Sequence, residues 1–224
     1  MQGYWLENKK NPRCILFMAG WGMGAEPFAS LAADDYDLFL CYDYRTLSLP
    51  DMSMFSGYNR LELIAWSMGV WVAANLFSGQ EKLFTRATAI GGTLQPINDK
   101  TGIPPAAFDA TIENLNEARL EAFYASMFDG PAQSETFMTN RPTRSVSSVR
   151  EELISLKGAV QRAGSVPDIF SRRIVTMRDR IFPARNQLRA WGKTKARAER
   201  MKWPHFPFYL NECRSTLLLS PEQE

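Results

Sequence analysis

At 224 residues the chain can bury a real core as one domain, with room for an inserted subdomain. An apolar share of 45% and a charged share of 22% match an ordinary globular protein, and no apolar run is long enough to span a bilayer. Three cysteines (Cys14, Cys41, Cys213) and one histidine (His205) lack the spacing of a metal site or a disulfide framework, so reduced, structural thiols and no metal are expected.

The net charge of +2 hides an asymmetry. Residues 1–140 hold 9 basic against 16 acidic side chains, whereas residues 141–203 hold 16 against 5. Such a basic stretch favours an acidic partner. Nucleic acid is the obvious alternative, but no recognised motif or aromatic-basic repeat accompanies the charge, and a solvated surface without a partner remains open. The opening residues, MQGYWLENKKNPR, lack the basic-then-apolar order of an export signal, which points to the cytoplasm.

In chain order, residues 14–19 (CILFMA) form a short apolar run ending at Gly20-Trp21-Gly22, the pattern of a buried strand meeting a turn. A helix is expected over 25–33 and a second strand over 37–44. A third strand covers 61–66 and a fourth 85–90, closing on Gly91-Gly92. Strands separated by helical segments argue for a parallel sheet with helices on its faces.

The rhythm changes over 102–168, where helices and loops replace strands. Ile112, Leu115, Ala118, Ala122 and Phe123 recur at helical spacing in one helix beginning near Asp109 or Thr111. Another starts at Ser148, with Glu151 as its capping-box partner. Residues 130–143, rich in Pro, Ser, Thr and Asn, read as a loop. Strand pattern resumes at 173–177, a helix opens at Pro183 and runs to Trp191, and 198–203 is the last strand. The expected organisation is therefore a core built from 1–101 and 169–224, with 102–168 inserted as a helical cap.

The segment 61–69, LELIAWSMG, is a strand, a tight turn centred on Ser67 and then a helix over 70–77. A serine nucleophile needs that context, because its hydroxyl must project from the sheet between small neighbours. Gly69 fits; Ala65 stands where glycine is commoner. Read without chemistry, Ser67 would be a helix cap. A nucleophilic serine needs a base and an acid that orients the base, and after such a turn the usual order is Ser, acid, His. Ser67, Asp179 in Met177-Arg178-Asp179-Arg180-Ile181-Phe182-Pro183, and His205 in Trp203-Pro204-His205-Phe206-Pro207 supply it, each at a loop on the carboxyl edge of the sheet. Asp43, at the tip of the second strand, is the reserve acid. For the oxyanion, the Met68 N–H follows the nucleophile, and the Trp21 N–H lies in the loop after the first strand. The rings of Trp21 and Trp66 are candidates to line an acyl channel.

Several of these segments resemble one family. Ala19-Gly20-Trp21-Gly22, Cys41-Tyr42-Asp43-Tyr44, 65–71 (AWSMGVW), Gly102-Ile103-Pro104, Glu113-Asn114-Leu115 and 178–183 (RDRIFP) together look like the BioG type of pimeloyl-acyl-carrier-protein methyl ester esterase, along nearly the whole chain and in the same order. The resemblance implies an α/β-hydrolase fold with a helical cap, no cofactor, and cleavage of the methyl ester on a pimeloyl chain borne by acyl carrier protein in biotin synthesis. Ser67, Asp179 and His205 match that family's nucleophile, acid and base, and 205–208 (HFPF) resembles the segment around the base in related BioH esterases. The tail 211–224 diverges. An acidic carrier would suit Arg141, Arg144, Arg150 and Arg162 near the expected mouth. A broader carboxylesterase or thioesterase, and a hydrolase-fold binding protein without turnover, compete with this reading.

Overall fold

A computed structural model describes residues 1–192 and 197–218. Seven strands form one sheet in the order β1-β3-β2-β4-β5-β6-β7. The largely buried strands β2 (Arg13–Met18), β3 (Asp37–Tyr42), β4 (Arg60–Trp66), β5 (Arg86–Ile90) and β6 (Arg172–Thr176) pair in parallel. Their near-complete burial is what parallel strands covered on both faces require. The short β7 (Glu199–Met201) adds a parallel edge. The other edge is β1 (Gln2–Glu7), which runs antiparallel to β3 and was not anticipated. Helix α1 (Met68–Leu76) follows β4, and α6 (Ala184–Trp191) follows β6.

Between β5 and β6 lie four helices, α2 (Pro105–Asn114), α3 (Glu117–Ser126), α4 (Pro131–Thr139) and α5 (Val146–Ala163). Several sequence expectations are corrected here. The single helix expected across 109–123 is two, because Leu115 leaves helical geometry and Asn116 starts afresh, its side chain accepting the Arg119 N–H at 2.9 Å. The loop expected at 130–143 holds α4, which Pro131 opens and Phe137 anchors. Helix α5 begins two residues before Ser148: Ser145 is the cap, accepting the Ser148 N–H, while Glu151 reaches Arg45 at 3.2 Å. The helix expected at 25–33 is a 3-10 helix, Glu26–Leu31. The strand expected over 198–203 shortens to β7.

The tail supplies α7 (Asn211–Leu218), docked under the amino ends of the strands; residues 219–224 lie outside the described residues. Its last carbonyls, which no helix can satisfy internally, are taken by arginines from three strands. Arg13 reaches Leu218 O at 2.5 Å, Arg86 reaches Leu217 O at 3.0 Å and Arg172 reaches Thr216 O at 2.9 Å. Fully buried Glu62 pairs with Arg13 (2.9 Å), Arg60 (2.6 Å) and Arg86 (2.6 Å) in the same layer.

Candidate active site

At the opposite, carboxyl edge, β4 turns into α1 through Ser67. Its backbone has φ 58° and ψ −126°, a conformation side-chain-bearing residues rarely adopt. The turn persists because its surroundings fix it. Ser67 N–H donates to Ile90 O at 2.9 Å, and Val70 N–H to Ser67 O at 3.1 Å. Gly69 is required there: a Cβ would lie 2.4 Å from both the Met18 and Ala19 carbonyl oxygens, so α1 could not approach β2.

His205 follows β7 in a loop tied to this turn. Trp66 Nε1 donates to His205 O at 2.7 Å, and the Trp66 ring meets Phe206 and Phe208 edge-on. Phe206 N–H donates to Met127 O at 3.1 Å, fastening the loop to the helical insertion as well. Asp179, in the turn after β6, lies 2.7 Å from His205 Nδ1 through Oδ2. The same oxygen accepts from Thr176 Oγ1 (2.7 Å) and Gln187 Nε2 (3.1 Å), and Oδ1 accepts the Ile181 and Phe182 N–H groups at 2.9 and 2.7 Å. A carboxylate so ringed by donors acts as an acceptor toward His205, which leaves Nε2 of the neutral imidazole as the free lone pair. Asp43, the reserve acid, is engaged elsewhere, with Arg45 at 2.7 Å and Arg144 at 3.1 Å. Burial pushes the Asp43 pKa up, but those two guanidinium groups outweigh it and hold it below the usual carboxylate range.

Ser67, 5% exposed, and His205, 1% exposed, both line one cavity of roughly 750 Å3, its open mouth included. No hydrogen bond joins them among the described residues, an arm that in unliganded hydrolytic sites commonly closes only around substrate. Trp21, Trp66 and Met68 line the sheet side of the cavity, and Phe108, Phe123 and Leu153 line the helical side. The Trp21 N–H has no protein acceptor among the described residues. The Met68 N–H is the first of α1 and has no acceptor within the helix. The Trp21 indole is locked over the site, donating to Val149 O at 2.8 Å and packing edge-on against Phe123.

The four arginines divide. Arg141 and Arg162 are exposed, Arg141 in a surface pair with Glu121 at 2.6 Å. Arg144, its side chain 10% exposed, turns inward to Glu152 (2.6 Å) and Asp43. Arg150 caps the end of α2 by donating to Ile112 O and Leu115 O. Two residues escaped sequence reasoning. Arg180 is exposed and lines the cavity, adjoining Asp179 in the same motif. Glu152 is wholly buried behind the Trp21 loop; its position between Val149 and Leu153 carried no signal that its partners come from elsewhere. No group of three or more potential metal-ligating side chains gathers among the described residues.

Comparison with known proteins adds relatives to this geometry. The sequence family described as pimeloyl-ACP methyl esterase BioG matches residues 1–211. A Bacteroides fragilis (strain 638R) protein named malonyl-[acyl-carrier protein] O-methyltransferase is 36% identical over 192 residues; these are 86% of this chain and 39% of that protein, so the chain spans about two fifths of its length. The crystal structure of BioG from Haemophilus influenzae superimposes with a TM-score of 0.82 at 32% identity, covering 93% of this chain and 95% of that one. A lipase-esterase related protein from Clostridium acetobutylicum shares the α/β-hydrolase fold at a TM-score of 0.63 and 14% identity, with 96% and 95% covered.

Proposed function

The chain belongs to the BioG family of pimeloyl-ACP methyl esterases, and from that premise we propose that it is a serine esterase that hydrolyses the methyl ester of a pimeloyl chain carried by acyl carrier protein, in biotin synthesis. The observation that carries the mechanism is the 2.7 Å contact of His205 Nδ1 with Asp179 beside the Ser67 turn, on one largely apolar cavity. Ser67 Oγ attacks the ester carbonyl carbon while His205 Nε2 takes its proton, and Asp179 stabilises the imidazolium. The Trp21 and Met68 N–H groups receive the oxyanion, each worth about 3 kcal/mol in the transition state. Collapse of the intermediate expels methoxide, which leaves as methanol with the proton from His205. Water then attacks the acyl-Ser67, His205 again serving as base, and the pimeloyl carboxylate departs with its carrier.

Apolar walls suit a chain of methylenes. Trp21 and Trp66 line its path, and exposed Arg141, Arg162 and Arg180 present positive charge to an acidic carrier. Arg144 and Arg150, with guanidinium groups committed internally, serve the architecture of that surface. The test is turnover of carrier-bound pimeloyl methyl ester by the wild type and by Ser67→Ala, beside complementation of a biotin auxotroph lacking its esterase. Methanol release that depends on Ser67 is expected. Equal turnover of unrelated free esters would replace this reading with a broad carboxylesterase, and absence of any turnover would replace it with a binding protein.

A further inference from the structure

Glu152 is a fully buried carboxylate on α5 that the proposed reaction does not use. Its Oε2 accepts the Gly22 N–H at 3.2 Å and its Oε1 the Tyr44 N–H at 3.0 Å, so one side chain from the helical insertion ties together the loops after β2 and β3. Other bonds grip the same loop. Tyr124 Oη donates to Gly22 O at 2.8 Å, Arg144 to Met23 O at 3.2 Å, and Tyr44 Oη to Ala19 O at 2.8 Å. Within this clamp the Trp21 N–H has no protein acceptor among the described residues, and the peptide planes on either side of it are held through Ala19 O and the Gly22 N–H. Gly22, at φ +75°, is the soft point of the loop, and it is the residue whose N–H and C=O are both held.

We infer that Glu152 is a positioning residue that aims the Trp21 N–H at the oxyanion, so that the helical insertion, besides roofing the cavity, sets half of the oxyanion hole. Arg144 is the necessary companion. A lone carboxylate behind the hole would oppose the developing negative charge, and Arg144 Nη1, 2.6 Å from Oε2, cancels it. Burial raises the Glu152 pKa, and the Arg144 charge with the Tyr44 and Gly22 N–H groups pulls against that. Asp43, bridged through Arg144, completes the chain of charges.

The inference rests on the serine-esterase reading, and one series of measurements separates the two. In Glu152→Gln an amide NH2 replaces one acceptor, and it must face either a backbone N–H or Arg144. On a p-nitrophenyl ester, kcat should fall tenfold to a hundredfold, less than the 10²–10³ of losing a whole donor, with KM within twofold. Affinity for a trifluoromethyl ketone, which Ser67 converts to a tetrahedral oxyanion, should fall by the same factor. Affinity for the matching methyl ketone, bound unreacted, should hold. Wild-type kcat in Glu152→Gln, or a loss of kcat with unchanged trifluoromethyl ketone affinity, overturns the inference. If Glu152→Gln does not fold, Tyr124→Phe decides, since it removes one grip on Gly22 and keeps the ring. Parallel threefold to tenfold losses in kcat and analogue affinity are expected there, and wild-type values for both overturn the inference. Turnover that survives Ser67→Ala removes the esterase reading, and this inference with it.

Discussion

The same strands meet two different fates at their two ends. At its amino end β4 carries Glu62 and at its carboxyl end Ser67; β2 carries Arg13 and leads into the Trp21 loop; β6 carries Arg172 and leads into Asp179. At the amino ends polar groups are bonded to one another or to α7, in closed pairs such as Arg13–Glu62 and Arg172–Glu199. At the carboxyl ends the Asp179 and Glu152 carboxylates are equally well bonded, yet the Trp21 and Met68 N–H groups have no protein acceptor among the described residues. A buried charge with every partner in place holds geometry and does little else. A polar group fixed by its neighbours but itself unanswered is poised for a substrate. The difference is therefore one of residual valence, since both ends are charged and both are buried.

That contrast predicts a dissociation between rate and stability. The largest effect belongs to Ser67→Ala, which on the proposed mechanism should cost about a millionfold in kcat on a p-nitrophenyl ester, the loss found at the nucleophiles of established triads, with an unchanged midpoint of thermal unfolding. His205→Ala should match it. Because no other histidine exists, the pH at which its imidazole resonances move should be the pH at which kcat/KM declines on the acid side, and a mismatch would assign the base elsewhere. Asp179→Asn should cost about 10⁴ in rate. Here the contrast is under most pressure, because Asp179 also holds the Ile181 and Phe182 N–H groups. Loss of stability alone, with rate intact, would move Asp179 to the structural side.

At the other end, Glu62→Gln should lower the unfolding free energy by about 3 kcal/mol at pH 7, with kcat/KM of the folded enzyme unchanged. Burial pushes the Glu62 pKa up, but Arg13 and Arg86 prevail and hold it below the ordinary glutamate value of 4.5. The stabilisation is therefore present above that pH and lost as pH falls through the lower, folded value. In denaturant titrations the gap between wild type and Glu62→Gln should narrow in that acid window; a gap that widens there would reverse the assignment. The smallest effect is on the surface. Arg141→Glu with Arg162→Glu should raise KM for carrier-bound ester about tenfold, with weaker dependence on salt, since exposed pairs bring about 0–1 kcal/mol each. Equal loss on a free ester would make these arginines structural, as the contacts of Arg144 and Arg150 make those two.

What the amino-acid sequence disclosed follows from how locally each element is determined. Strands β2 and β3 are largely apolar runs, β4 to β6 carry apolar and β-branched residues up to their carboxyl ends, and the Ser67 turn has a local signature in Gly69, so these were legible. Strand β1, QGYWLE, is exposed over half its length and meets β3 through its backbone and the contact of Trp5 with Phe39, leaving no apolar run to read. Helix α4 buries one side chain, Phe137, and its composition is that of a loop. Periodicity ran straight through the α2–α3 break because Ile112 and Phe123 are on the expected spacing on either side of it; only the Asn116 cap marks the interruption. Glu152 and Arg144 were beyond reach for a different reason. Their partners, Gly22, Tyr44 and Asp43, lie more than a hundred residues away in the chain, and nothing local distinguishes an inward carboxylate from a solvated one.

The backbone of Ser67 has a consequence for any attempt to improve this protein. Glycine accepts φ 58° freely, whereas a side chain there costs about 1 kcal/mol or more. Ser67→Gly would therefore raise the melting temperature while removing the hydroxyl. Under the proposed mechanism, a library selected only for survival at high temperature would enrich inactive members at this position, and a population drifting without demand for turnover would tend to lose its serine early. Such trade-offs are general where an active residue occupies a costly conformation. Keeping the serine requires selection that tests hydrolysis at every round.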